Sequence, residues 1–115
     1  MPEVSRSLVA ASSRPLILAI LSELQESYGY EIIQEVKRLS GGVLEWQDGM
    51  LYPVLHRLEE EGLIASRWGV AENGRKRKYY RLNPSGLEAL KAEMAQWVQV
   101  HQTLMSVWNP NLRPT

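Results

Sequence analysis

Hydrophobic and polar positions along the chain change period several times. Residues 16–24, LILAILSEL, are apolar around the whole circumference of a helix, the pattern of an element buried on all sides. Pro15 suits the first turn of that helix or a kink in a longer one. Residues 1–13 have no clear period and read as an arm or as first helical turns. In residues 28–39, YGYEIIQEVKRL, the positions Ile32, Ile33, Val36 and Leu39 share one helical face, and Lys37 and Arg38 fall in the last turn, where the helix dipole favours cations. The helix stops at Ser40-Gly41-Gly42. A third helix is expected within DGMLYPVLHRLEEEG, residues 48–62, with Leu51, Leu55 and Leu58 buried, Gly62 as C-cap, and Leu63 and Ile64 as its hydrophobic closure. Pro53 lacks an N–H, so the regular helix is expected to start near Met50, with the proline in its first turn.

Beyond Gly62 the pattern becomes extended. LIASRW and KRKYYRL are β-prone, and Asn73-Gly74 between them is a turn signal, which predicts a two-stranded hairpin. Asn83 and Pro84 then form an N-cap and N1 pair for a long last helix. Its Leu87, Leu90, Met94, Trp97, His101, Leu104 and Trp108 alternate spacings of 3 and 4, a seam suited to packing on another helix. About 25 residues at ~1.5 Å each give a helix of roughly 37 Å, too long for a domain of ~13 Å gyration radius to cover. A second copy of the chain is the simplest partner for a projecting apolar seam, which predicts a homodimer.

The order of elements predicts a mainly α chain with a small β-hairpin (α+β). The architecture would be a winged helix-turn-helix with a long C-terminal dimerisation helix. The expected divisions are an arm or first turns at 1–13, the winged unit at 14–82, the dimerisation helix at 83–108 and a tail at 109–115. In that architecture the third helix enters the major groove and the hairpin, or wing, reaches the flanking backbone or minor groove.

Composition narrows the function. The 115 residues suit one domain, and the absence of cysteine excludes disulfides and thiolate chemistry and fits a reducing cytoplasm. The longest apolar run, LILAIL, falls short of the roughly 20 residues that a membrane span needs, so no membrane partner is expected. Formal charge is zero, but residues 67–81 hold six cations (Arg67, Arg75, Lys76, Arg77, Lys78, Arg81) against Glu72, a local balance of +5. A local field of that size suits DNA phosphates, although a charge run alone also describes a solvated hairpin. No histidine pair has metal spacing, and there is no nucleophile elbow or glycine-rich phosphate loop, so no enzyme, metal or cofactor is expected. His56 beside Arg57 reads as exposed or near phosphate, Glu59, Glu60 and Glu61 as a solvated helix end, and Trp46 and Trp68 as packing residues around the wing base.

The motifs YGYEI, GMLYPVLHRLEEEGLI and GRKRKYYRLNPSGLEAL, in this order, resemble the PadR family of bacterial transcriptional regulators over roughly residues 16–100. The single helix after the wing, with Trp97 in AEMAQWVQV, is similar to the small branch that includes a multidrug-sensing repressor. The resemblance implies that Tyr30 and Tyr52 contact phosphates. It places Asp48, Gly49 and Met50 at the groove-facing end of helix 3 and makes Arg75, Lys76, Arg77 and Lys78 the wing contact. Met50 departs from the small hydroxyl residue usual in the family, so the operator sequence does not transfer. Pro15 also departs, since relatives tend to run the first helix through that point.

In the similar branch, tryptophans of the two C-terminal helices face each other and stack on flat aromatic drugs. By that likeness Trp97, with His101 as a polar neighbour, is a candidate site for a small aromatic or cationic effector. The seam itself (Leu87, Leu90, Met94, Trp97, Leu104, Trp108) is the candidate dimer interface. The expected function is therefore a ligand-released repressor that binds an inverted-repeat operator in double-stranded DNA. Two rivals share the fold: a protein-interaction module that lost operator recognition, and a constitutive DNA-binding regulator whose tryptophans only pack.

Overall fold

The computed structural model describes residues 3–109 and 111. Their elements are α1 (Arg6–Leu24), β1 (Ser27–Tyr28), α2 (Gly29–Leu39), α3 (Asp48–Glu60), β2 (Ile64–Val70), β3 (Lys76–Leu82) and α4 (Pro84–Trp108). Most of the tail expected at 109–115, and residues 1 and 2 of the arm, lie outside the described residues.

The first helix starts well before residue 14. Ser5 caps it by accepting from the Leu8 N–H at 3.3 Å, and Pro15 sits inside it. Proline removes only one internal hydrogen bond, and the apolar positions that follow it are strongly held by packing. Ser12 and Ser13 turn their hydroxyls back onto main-chain carbonyls of the preceding turn, which lets small polar residues sit on this helix without an unpaired donor. By length and composition α1 is apolar enough to cross a membrane. Here Ile17, Leu18 and Leu21 are completely buried at the centre of the protein core.

α3 begins at Asp48 and not near Met50, which moves Pro53 into the second turn. The bond that Pro53 cannot make is the one to the Gly49 carbonyl, and Gly49 is exposed, so water can serve that oxygen. The C-terminus of α3 follows the expected motif. Gly62 has φ +76°, its N–H donates to the Glu59 carbonyl, and the Leu63 N–H donates to the Leu58 carbonyl.

The sheet has three strands in the order β1-β3-β2, all antiparallel, where the sequence predicts a two-stranded hairpin. The added strand is Ser27–Tyr28, which pairs with Tyr80 and Tyr79. Two residues carry no detectable period, so only the tertiary fold defines that strand. Between β2 and β3, Gly74 donates to the Ala71 carbonyl, and Gly74 itself takes φ +83°. This is a three-residue loop, Glu72 to Gly74, with a glycine bulge. Asn73 closes it by accepting the Arg75 N–H at 3.0 Å.

Asn83 occupies the N-cap position of α4 but does not cap with its side chain. Its amide and the Ser85 hydroxyl instead donate to the Gly62 carbonyl, at 2.9 and 2.7 Å. Gly86 lies so close to Leu63 that a Cβ there would stand 2.1 Å from the Leu63 carbonyl oxygen. The start of α4 is thereby fastened to the end of α3. Arg14 of α1 adds a second tie, pairing with Glu61 at 2.6 Å and lying 3.6 Å from Glu93 of α4. The hydrogen bond that Arg14 donates to Glu61, together with nearby carboxylate charge, raises the Arg14 pKa against the cost of partial burial.

Candidate nucleic-acid interface

The alternation of side chains along β2 and β3 divides the wing into two faces. Ser66, Trp68 and Val70 pair with Tyr80, Lys78 and Lys76, and this set faces α3, since the Ser66 hydroxyl donates to Glu59 at 2.5 Å and Tyr80 is buried. The opposite face carries Arg67, Tyr79 and Arg77. The four consecutive cations therefore do not all share one strand face. Lys76 and Lys78 face α3, Arg77 lies on the other face, and Arg75 is exposed where the turn joins β3.

Each cation has a different setting. Arg67 is held by two hydrogen bonds to Glu26, at 2.8 and 2.6 Å, with its guanidinium 4.7 Å from the Tyr79 ring centre. Those bonds keep the Glu26 carboxyl below its ordinary pKa, so Arg67 is an internal tie and not free positive charge. Arg77 stacks 3.9 Å over Tyr28, which is itself edge-on to Tyr79. Lys78 lies 5.9 Å from the Trp68 ring, 5.6 Å from the Tyr80 ring and 4.0 Å from the Glu59 carboxylate. The aromatic contacts hold the flexible stems at modest energetic gain, and Lys78, like Arg67, also has a carboxylate partner of its own chain, Glu59.

Between the wing, the start of α2 and α3 lies an open cleft of about 580 Å³. It brings together Tyr30, Tyr52, Lys76, Arg77 and Lys78, five of the residues expected to contact DNA, and adds Tyr28, His56, Trp68 and Tyr80. The close seating of Tyr52 explains Gly29 at the first position of α2: a Cβ there would meet the Tyr52 hydroxyl at 2.5 Å. Tyr30 is 66% exposed, so its hydroxyl is available to a ligand. Tyr80 forms the floor; its buried hydroxyl has no partner among the described residues, and burial pushes its pKa up to about 12.

At the start of α3, Asp48 and Gly49 are exposed. Met50 is half-buried and packs on the core, so its thioether is only partly available to a groove. The two other tryptophans depart from the sequence reading. Trp46 is buried in the α2–α3 connection beside Val4 and Val9, away from the wing base, while Trp68 is 67% exposed. A tryptophan on a strand reads the same whether it faces core or solvent, and only the register separates the two.

The seam on α4 also divides. Leu90 is buried within its own chain and belongs to the core, because α4 still lies over α1 at that level. Leu87, Met94, Trp97, Leu104 and Trp108 are exposed, as is His101. Trp97 borders an apolar groove of about 420 Å³ with Val4, Leu8, Ser12, Val43 and Leu44. The i, i+4, i+8 spacing of Val4, Leu8 and Ser12 was the available sequence signal for that groove, hidden because residues 1–13 lack a full period.

Residues 17–92 match the transcriptional regulator PadR-like family. The chain belongs to that family. It is 43% identical over 65 residues to "Transcriptional regulator Rv3488" of Mycobacterium tuberculosis, covering 56% of this chain and 57% of the relative. Among solved structures, a PadR-like transcriptional regulator from Bacillus cereus superposes with a TM-score of 0.77 at 29% identity, covering 90% of this chain and 97% of the other. A transcriptional regulator from Clostridium thermocellum gives 0.78 at 29% identity, covering 88% and 94%. The protein is thus a PadR-like transcriptional regulator with the winged-helix fold of its relatives, and it is not an enzyme.

Proposed function

We propose that this PadR-like protein is a cytoplasmic, homodimeric repressor that binds an inverted-repeat operator through α3 and the wing. The observation that carries this reading is the cleft that gathers Tyr30, Tyr52, Lys76, Arg77 and Lys78 beside the exposed start of α3. Phenol hydroxyls donate hydrogen bonds to phosphate oxygens and the cations neutralise their charge, while the first residues of α3 reach base edges. Asp48 there is an acceptor suited to a cytosine amino group. Two-fold symmetry sets the two half-sites roughly 34 Å apart.

The exposed Met94, Trp97, Leu104 and Trp108 support dimerisation through the distal half of α4. A flat aromatic or cationic effector stacks on Trp97, with His101 one turn further along, and releases DNA by favouring a dimer whose two α3 helices are misplaced. Its effect on operator affinity is limited to its preference between the two arrangements. Support for the effector site is the apolar groove beside Trp97.

Fluorescence anisotropy on a duplex from the region upstream of the protein's own gene, with random competitor DNA and varied salt, tests the reading. Tight, competitor-resistant binding is expected. Replacing Lys76 and Lys78 by alanine is expected to lower the salt slope by ~0.9 per lost phosphate contact. An unchanged slope removes Lys76 and Lys78 from the interface, and an unchanged slope after Arg75 and Arg77 are replaced as well removes the wing.

A further inference from the structure

The face of the wing turned to α3 carries two parallel rows. Lys76 and Lys78 on β3 are cationic, and directly across from them on β2 stand Val70 and Trp68. Both apolar side chains are open to water, at 71% and 67% exposure. Scattered apolar residues are ordinary on a protein surface, and exposure by itself says nothing. Here the two occupy consecutive positions on one strand face, paired in register with two lysines, and Trp68 lines the same cleft as Tyr30 and Tyr52. A core role is closed to Trp68, because the sheet's buried positions on this face, Ile64 and Tyr80, lie nearer the base of the wing.

A nucleic-acid strand has the complementary layout. Its phosphates are anionic, and between them the deoxyribose rings offer C–H surface. We infer that Trp68, with Val70 beside it, is an apolar DNA contact of the wing that lays its indole face on backbone sugars while Lys76 and Lys78 take the adjoining phosphates. This rests on the DNA-binding reading above. It assigns the wing an attraction that salt does not screen, since burial of apolar surface involves no counterion release. The Lys78 ammonium lies 5.9 Å from the Trp68 ring and 4.0 Å from the Glu59 carboxylate, so it stands beside the indole and takes a phosphate in exchange for that carboxylate.

The experiment measures operator binding across a salt series for the full chain and for Trp68→Ala and Trp68→Tyr. The alanine variant is expected to bind roughly tenfold more weakly at every salt concentration, the size suited to removing one indole face from water, with an unchanged slope. The tyrosine variant is expected to recover most of the loss. Equal affinity of Trp68→Ala and the parent, with the parent still binding in a salt-dependent way, overturns the inference and leaves the DNA-binding reading standing. A slope lowered by ~0.9 in Trp68→Ala also overturns it, because the indole would then act only by positioning Lys78 on a phosphate. If the parent chain shows no salt-dependent binding to the duplex, the DNA-binding reading fails and the inference falls with it.

Discussion

The two halves of α4 continue one 3-4 apolar spacing in opposite surroundings. Up to Glu93 the helix is tied to its own chain: Gly86 lies against Leu63, Leu90 is buried, and Arg14 reaches Glu93. From Met94 onward the same 3-4 spacing continues, but Met94, Val98, Val100, Val107 and Trp108 are all half or more exposed. The molecule is accordingly elongated, 57 × 33 × 21 Å, with a gyration radius of 16.1 Å. A compact chain of this length would have a radius of ~13 Å. An apolar seam therefore has two fates within one helix, set by whether α1 lies beneath it.

Truncation within the body should have the largest effect. Leu18→Ala, at a site with no exposure, is expected to lower unfolding free energy by about 2–5 kcal/mol in denaturant titration. A loss under 1 kcal/mol would mean that the core is loosely packed. The distal half should respond differently. Met94→Glu combined with Leu104→Glu is expected to give monomers by sedimentation and to abolish the rise of Tm with protein concentration that a dimer shows, while far-UV circular dichroism stays close to the parent. A dimer that persists would place the interface elsewhere and make the exposed seam only a solvated one.

The smallest effect at neutral pH is expected at the floor of the cleft. Tyr80→Phe removes a buried hydroxyl that has no partner among the described residues and should stay within about 1 kcal/mol of the parent at pH 7. Its signature is the pH dependence. Tyr80 holds its proton more tightly in the folded state, with a pKa near 12 against an ordinary 10.0, so the folded state binds more protons than the unfolded chain in that window. Stability should then decline as pH rises from about 10 to about 12, and the phenylalanine variant should lose that part of the decline. An identical decline in both proteins would assign it to other groups.

Local periodicity was enough to locate four helices and the two long strands, because each contains a repeated apolar spacing or a turn residue that no other element would use. Gly62 is the clearest case: its positive φ and its two backbone bonds follow from glycine's freedom and from the apolar residues after it. The length of the last helix, and so its projection, was legible for the same reason. The motifs that identify the family were legible too, as were the cations of the wing.

What the sequence could not decide were relations across space. Whether Arg67 is free charge or a tie to Glu26, whether Lys76 and Arg77 share a face, and whether Leu90 or Met94 ends the core depend on partners distant in the chain. The two-residue strand Ser27–Tyr28 exists only because β3 lies beside it to supply hydrogen bonds. Trp46 and Trp68 are chemically identical in the sequence, yet packing buries one and strand register turns the other toward solvent. Periodicity specifies which residues of an element share a side, and only tertiary packing determines what that side meets.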